Sequence, residues 1–271
     1  MTRGGDLDAA TESRARGRAA SAQLTEADYL YGQLAAFRRK EERALGLIAQ
    51  AAGPLGVAFS GGKDSTVVLD LVRREWPDAP AGWYDDGAQL ADTVAFISGV
   101  PNVMRYPADG GGLIELCRQN GYWGREPLSP TPRRVDFGKV LISIPAQKFA
   151  EEYSLKTMAL GLRQEESVRR RIVLRRNGES YFVKEDNLYH LCPVAGWTVE
   201  DIWAYIAVHG VSYNPAYDKM AELGITREHQ RIGPGLGTMT AGFGFFVYLK
   251  RLDLELWNRL AAEFPLVRKY A

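Results

Sequence analysis

The feature that most constrains the fold is a hexapeptide, SGGKDS (residues 60–65), which lies between two apolar runs. The run before it (55–59, LGVAF) predicts a buried strand, and the run after it (66–72, TVVLDLV) predicts a helix. A helix that begins directly after a glycine turn presents unpaired N–H groups and the positive end of its dipole. The segment therefore predicts a strand, an anion-binding turn and a helix, with a nucleotide as the expected ligand.

The residue types of the hexapeptide suit a phosphate. Two glycines allow the backbone to turn tightly and to approach a ligand closely, while the hydroxyls and the lysine add donors and charge. A Gly-Gly pair between a strand and a helix would alone predict only a turn, and the spacing differs from that of the G-x-x-x-x-G-K-[ST] loop. Six residues in this context favour a nucleotide site. The expected nucleotide-binding residues here are Ser60, Gly61, Gly62, Lys63, Asp64 and Ser65.

Apolar runs alternate with helical patterns across much of the chain. We expect strands at 55–59, 81–84, 102–106 and 157–162, and helices at 64–76, 89–98, 113–120 and 198–208. Thr198 is the expected cap of the last of these helices. Asn177-Gly178, within strand-like residues 172–192, predicts a hairpin turn. This alternation predicts an α/β fold with a mainly parallel, doubly wound sheet.

Composition divides the chain into three regions. Residues 1–25 carry no hydrophobic period and predict a disordered or extended tail. Residues 26–210 are the expected nucleotide-binding α/β domain, which begins with one or two helices. Residues 211–271 are the expected C-terminal helical extension, packed on the same domain. Its apolar face at Leu252, Leu256 and Leu260 could serve the core or a partner.

Overall charge and cysteine content narrow the function classes. The net charge is +1 over 271 residues, so binding of nucleic acid would require a local basic surface. No apolar run is long enough to span a bilayer, and the N-terminus lacks a secretory signal pattern. The two cysteines, Cys117 and Cys192, cannot form a disulfide framework or a four-cysteine metal site. We expect a cytoplasmic protein with no membrane partner.

Ser60, Asp85 and Arg163 each follow a predicted strand directly. Ligands of open α/β sheets bind outside the carboxyl ends of the strands, so these residues are expected at one site. Arg163 could donate two parallel hydrogen bonds to a phosphate or sulfate. Asp85 could bind Mg²⁺ or a ribose hydroxyl, or simply cap its loop. For Arg169, Arg175 and Arg176 a solvated helix face is the favoured interpretation.

The hexapeptide resembles the PP-loop of the N-type ATP pyrophosphatases. Later segments resemble the phosphoadenosine phosphosulfate (PAPS) reductase-like branch of that superfamily, which implies the adenine nucleotide alpha hydrolase-like fold. The resemblance runs in consistent order through residues 55–218, over SGGKDS (60–65), DDG (85–87), GLRQEESVRR (161–170), PVAGWTVEDIW (193–203) and YNPAYD (213–218). Each segment alone would be weak evidence of a relationship, but together the segments indicate homology.

The resemblance stops at the cysteines. Sulfonucleotide reductases of this family use a C-terminal cysteine as nucleophile, and many relatives hold an iron–sulfur cluster in a G-C-x-x-C segment. This chain has no cysteine after Cys192, and residues 231–237 read RIGPGLG. We therefore expect no iron–sulfur cluster, and buried structural roles for Cys117 and Cys192. Residues 217–239 resemble a cysteine-free sub-branch found among phage and mobile-element proteins. Arg231 begins either an anion-binding lid or a plain surface loop.

The family resemblance implies an enzyme that cleaves ATP between the α- and β-phosphates and adenylates an unidentified second substrate, with Mg²⁺ bridging the phosphates. Two alternatives stay open: a PAPS- or APS-binding reductase or sulfotransferase that uses a partner's thiol, and a non-catalytic nucleotide-binding regulator. A protein partner, a homodimer and a nucleic-acid substrate are also open. The expected catalytic residues are Lys63, Arg163 and Arg170, the further nucleotide-binding residues are Asp85, Gly161, Glu166 and Arg231, and the metal ligand is Asp85.

Overall fold

A six-stranded sheet organises the computed structural model, which describes residues 23–128, 135–233 and 244–269. The strands lie in the order β3-β2-β1-β4-β6-β5, and every neighbouring pair is parallel except β5 and β6. The predicted α/β class with a mainly parallel sheet is confirmed. The strands are β1 (Leu55–Ala58), β2 (Ala81–Asp85), β3 (Val103–Pro107), β4 (Thr157–Ala159), β5 (Ser180–Val183) and β6 (Leu188–Leu191).

Helices follow the strands in the order that the sequence pattern predicts. They are α1 (Glu26–Gly32), α2 (Ala35–Ala49), α3 (Lys63–Glu75), α4 (Ala91–Ser98), α5 (Gly112–Asn120), α6 (Ile144–Glu152), α7 (Val168–Asn177), α8 (Val199–His209), α9 (Ala216–Glu222), α10 (Gly244–Leu252), α11 (Leu254–Glu263) and α12 (Pro265–Lys269). A π-helical turn at Lys139–Ser143 leads into α6, and a 3₁₀ turn at Gln164–Glu166 precedes α7. No helix within the described ranges is long and apolar enough to cross a membrane.

Side chains are buried on both faces of the sheet. Val57 of β1 packs into the larger core cluster, which also contains Trp203 of α8. Met158 of β4 packs on the opposite face, against Phe149 of α6. Burial on both faces explains why the strands read as continuous apolar runs rather than as alternating ones.

The C-terminal helices share this core. Leu252, Leu256 and Leu260, whose apolar face could have served a partner, are 6%, 4% and 0% exposed and belong to the larger cluster. Residues 1–22, which hold most of the predicted tail, lie outside the described ranges. The division at residue 210 stays a prediction.

The buried carboxylate of Asp201 ties the N-terminal helices to α8. It accepts hydrogen bonds from Lys40 Nζ (2.6 Å) and Tyr31 Oη (2.9 Å), and from the backbone N–H of Thr198 (2.7 Å). Thr198 Oγ1 accepts in turn from the N–H of Asp201 at 3.2 Å, which completes a capping box. The predicted cap of this helix is confirmed.

The predicted hairpin turn at Asn177-Gly178 is wrong in position. Asn177 is the last residue of α7, and Gly178 follows it with a φ of +82°. The hairpin itself exists, but it joins β5 to β6 through residues 184–187, where Asn187 has a φ of +53°. An Asn-Gly pair provides left-handed backbone for a helix end as readily as for a hairpin, so the pattern alone does not separate the two.

The strand order creates a switch point beside β1. From β1 the chain moves outward to β2 and β3, and then returns to place β4 on the other side of β1. The connections after β1 and β4 therefore diverge and leave a crevice outside their carboxyl ends. Open α/β sheets bind ligands in such a crevice.

Candidate nucleotide-binding site

The hexapeptide forms the turn between β1 and α3. Gly61 has a φ of +70°, which favours glycine. A Cβ added at Gly62 would lie 2.8 Å from the carbonyl oxygen of Ile232, so glycine is also needed there for space. Ser65 Oγ donates to the carbonyl of Gly62 (2.9 Å) and lies 3.2 Å from Ser60 Oγ. Both hydroxyls thus lie within the turn that opens α3.

A pocket of about 210 Å³ lies outside the carboxyl ends of β1 and β4, in the crevice at the switch point. The structure brings seven of the predicted residues to its wall: Ser60, Gly62, Asp64, Ser65, Gly161, Glu166 and Arg170. The remaining lining residues, which the sequence reasoning missed, are Ala58, Phe59, Tyr84, Ile142, Leu160, Leu162, Ile232 and Gly233. Most of these flank the predicted strand ends, so their positions gave a usable signal. Ile142 gave none.

Gly161 brings the exit of β4 onto the first turn of α3. A Cβ added at this position would lie 2.7 Å from the backbone nitrogen of Ser65 and 2.8 Å from the carbonyl carbon of Asp64. Backbone atoms in a helix cannot move aside as the end of a side chain can. Gly161 therefore sets the distance between the two walls of the pocket.

Asp64 is the centre of a buried ion-pair network. Its carboxylate contacts Lys63 Nζ (3.1 Å) and Arg163 Nε (2.5 Å), and both cations are 3% exposed. Burial acts to raise the pKa of Asp64, but the charges of Lys63 and Arg163 outweigh it and hold that pKa below its ordinary value. The carboxylate is therefore ionised and fixed against the loop.

The two cations also bond to other protein groups. Lys63 Nζ donates to the carbonyl of Gln230 (3.3 Å), and Arg163 Nη1 contacts Glu165 (2.6 Å). Neither Lys63 nor Arg163 belongs to the pocket lining, because both lie behind the loop. The sequence predicted both as ligand-binding, and the structure places them one layer behind Asp64.

Glu166, which lines the pocket, bonds to three arginines. Its Oε2 accepts the backbone N–H of Arg163 (3.1 Å) and pairs with Arg170. Its Oε1 and its carbonyl oxygen accept from the guanidinium of Arg231, at 3.2 and 3.0 Å. Arg170 and Arg231, which are far apart in sequence, thus pair with the same carboxylate. The prediction that Glu166 orients an arginine agrees with this arrangement.

Asp85 lies apart from the pocket lining. One carboxylate oxygen accepts the N–H of Gly87 (2.8 Å), and the other accepts from Arg105 Nε (2.7 Å). Asp64 and Glu166 are likewise engaged by cations. Within the described ranges no group of three or more His, Cys, Asp or Glu residues could hold a metal ion. Asp64, Glu166 and Asp85 are thus paired with basic groups, and none of the three is an open oxygen ligand for Mg²⁺ in this arrangement.

Neither cysteine is among the residues that line the pocket. Cys117 and Cys192 are 0% exposed, and burial raises the pKa of each thiol to about 12. Because the thiolate is the reactive form, neither side chain is a nucleophile at neutral pH. The predicted structural roles of both cysteines agree with this burial.

Comparisons with known proteins identify the same segments. A sequence profile described as the phosphoadenosine phosphosulfate reductase domain matches residues 54–235. The phosphoadenosine 5'-phosphosulfate reductase of Vibrio parahaemolyticus is 26% identical over 204 residues, which cover 72% of this chain and 74% of that protein. The adenosine 5'-phosphosulfate reductase of Halalkalibacterium halodurans is 29% identical over 175 residues, or 60% and 68% of the two chains.

A solved structure agrees in fold. The phosphoadenylyl-sulfate reductase of Candida auris, in a phosphate complex, aligns with a TM-score of 0.52 at 16% identity, over 74% of this chain and 95% of that one. The profile match covers more than half of this chain and includes the hexapeptide, Gly161, Glu166 and Arg231. The chain therefore belongs to the phosphoadenosine phosphosulfate reductase domain family.

Proposed function

We propose that the pocket binds a sulfonucleotide, PAPS or APS, without a metal ion. The observation that carries this proposal is the charge balance at the site. The carboxylates of Asp64, Glu166 and Asp85 are all engaged by lysine or arginine, so none is free to hold Mg²⁺. A phosphosulfate can bind to backbone N–H groups, hydroxyls and arginines alone, whereas ATP is ordinarily handled with a bridging divalent cation.

In this proposal the two ends of the pocket have different roles. The backbone N–H groups of Asp64 and Ser65 and the hydroxyl of Ser60 hold the phosphosulfate, and Arg170 neutralises its charge. The apolar wall, which includes Phe59 and Leu162, accepts the adenine ring. Lys63 and Arg163 are positioning residues, because they act through Asp64. Arg231 is held beside the pocket by Glu166.

The reaction in this proposal uses a thiol that the chain lacks. An external thiolate attacks the sulfate sulfur and forms an S–S bond, while the bond from that sulfur to the phosphate oxygen breaks. The adenosine phosphate leaves with the electron pair, and a second external thiol then releases sulfite by forming a disulfide. The sequence contains two cysteines, and both are buried with a raised pKa, which supports an outside nucleophile.

Adenylation of a second substrate by ATP is the other candidate, favoured by the complete SGGKDS loop. Calorimetric titration with PAPS, APS and ATP, in EDTA and then in excess Mg²⁺, separates the two. We expect PAPS or APS to bind in EDTA more tightly than ATP, and sulfite to be released when dithiothreitol is added. Preference for ATP with dependence on Mg²⁺, and formation of AMP and pyrophosphate, would establish adenylation instead.

Two variants test the site itself. Arg170→Gln should weaken sulfonucleotide binding at least about tenfold, because a charge-assisted hydrogen bond contributes about 1.5–3 kcal/mol. Arg175→Gln is the matched control, since Arg175 lies exposed on the same helix and outside the pocket lining. Equal affinity in both variants, or no binding of any of the three nucleotides to the wild type, would refute the proposal.

A further inference from the structure

Helix α7 carries an unusual concentration of charge. Its sequence, VRRRIVLRRN, contains five arginines and no acidic residue, and only Leu174 is buried. Arg170 turns toward Glu166 at the pocket. The other four arginine side chains, at 169, 171, 175 and 176, are exposed and make no ion pair or hydrogen bond within the described part of the chain.

Acidic residues near α7 do not neutralise these four charges. Glu165 contacts Arg163, Glu166 contacts Arg170, and Glu179 contacts Arg43. The like charges at Arg171 and Arg175 are four residues apart on one helix and repel each other. The protein as a whole is nearly neutral, at +1, so this positive surface is local.

The exposed face of α7 has a defined layout. At about 100° per residue, Arg169 and Arg176 fall on one side of the face, and the pair at 171 and 175 falls on the other. Between the two pairs lie Val168 and Ile172, which are 67% and 61% exposed. The face is therefore an apolar strip with a pair of arginines along each edge.

We infer that α7 docks in the major groove of duplex DNA. A B-form major groove admits an α-helix, and its two walls are rows of phosphates that match the two arginine pairs in charge and in placement. The apolar strip then faces the base edges, where it can contact thymine methyl groups but cannot read a donor and acceptor pattern. The binding is thus expected to depend little on sequence.

The position of α7 connects this surface to the pocket. Arg170, in its first turn, lines the pocket, and the helix extends about 10 Å beyond this residue, given 1.5 Å per residue. Duplex DNA seated on α7 would therefore lie beside the bound nucleotide. The inference does not depend on which nucleotide fills the pocket.

Fluorescence anisotropy with a labelled duplex of about 20 base pairs tests the inference across a salt series. Four phosphate contacts predict a slope of about −3.6 for log affinity against log salt, or about a 150-fold loss of affinity between about 50 and 200 mM. Replacement of the four arginines at 169, 171, 175 and 176 by Gln should remove most of that slope. Glutamine keeps good helix propensity, so α7 should persist.

A control variant carries the same change in charge elsewhere. Gln replaces Arg38, Arg39, Lys156 and Arg251, which are exposed and lie outside α7. This variant should retain the wild-type slope, and both variants should keep a urea unfolding midpoint close to that of the wild type, which reports on folding. The double variant Val168→Ser, Ile172→Ser should weaken DNA binding without changing the slope, because it removes no charge.

Three results would overturn the inference. The first is no binding of duplex DNA by the wild type at the lowest salt. The second is an equal loss of affinity in the α7 variant and in the control variant. The third is tighter binding to double-stranded RNA, to single-stranded DNA or to polyglutamate than to duplex DNA. RNA is a sharp comparison, because the deep and narrow major groove of A-form RNA does not admit a helix.

Discussion

Among single residues, Gly161 is the one whose substitution tests the shape of the pocket most directly. In Gly161→Ala the new methyl group would meet backbone atoms of Ser65 and Asp64, at 2.7 and 2.8 Å, and must push the β4 exit away from α3. We expect sulfonucleotide affinity to fall at least about tenfold, with a loss of about 1–3 kcal/mol in the free energy of unfolding. Titration calorimetry and urea unfolding measure the two effects.

Gly196→Ala is the matched control for Gly161→Ala. A Cβ added at Gly196 meets nothing within 4 Å, and the residue is exposed. This variant should keep wild-type affinity and stability. If Gly161→Ala also bound PAPS normally, the close contact between β4 and the loop would not matter for the site.

The loop residues could be predicted from sequence because their chemistry is contained in six consecutive positions. Contacts between residues that are distant in sequence could not be predicted in this way. Arg163 was expected to reach a phosphate, yet it pairs with Asp64, 99 positions earlier, and is almost fully buried. A single sequence shows that an arginine follows a strand, but not which carboxylate the fold places beside it.

Among the elements, α8 shows how much a helix cap that is readable from the sequence can contribute to stability. Thr198→Ala removes the side-chain acceptor for the N–H of Asp201 and should lower the free energy of unfolding by about 1 kcal/mol. Thr198→Ser keeps the hydroxyl and should stay close to the wild type. Urea unfolding of the three proteins provides the measurement, and a stable Thr198→Ala protein would show that Asp201 holds the helix start without the cap.

Element types were predictable where the apolar pattern was long, as in α8 and the strand before the hexapeptide. Errors arose where one local signal has two meanings. Asn177-Gly178 ends α7 instead of turning a hairpin, because Leu174 buries the preceding turn and extends the helix to that point. The actual hairpin turn, at residues 184–187, contains no glycine and gave no comparable signal.

For the whole molecule, stability should fall in acid. The pKa values of Asp28 and Asp64 are both lowered from an ordinary 3.8. Burial acts to raise each pKa, but the charge of Arg227 outweighs it at Asp28, and the charges of Lys63 and Arg163 outweigh it at Asp64. A carboxyl group with a lowered folded-state pKa contributes stability above its unfolded pKa and loses it as pH falls through the folded value. We therefore expect the free energy of unfolding to decline as pH drops below about 4.

Asp28→Asn tests the origin of that decline. Without this carboxylate, the fall in unfolding free energy below about pH 4 should be shallower than in the wild type, even if the variant is less stable overall. Asp78→Asn changes an exposed carboxylate and should leave the wild-type slope unchanged. Denaturant titrations at a series of pH values compare the three proteins, and an identical slope in Asp28→Asn would exclude Asp28 as a contributor.

Residues late in the chain complete the SGGKDS loop, and this sets the order in which a newly made chain can form its sheet and its nucleotide site. All six strands have been synthesised once Leu191 is added. The N–H of Lys63 nevertheless bonds to the Tyr217 hydroxyl, at 3.0 Å, and Ile232 lies over Gly62. A nascent chain can thus assemble its sheet on the ribosome before the ligand cradle is complete. Nucleotide would then arrive too late to guide the first folding steps, and would act only on a sheet already formed.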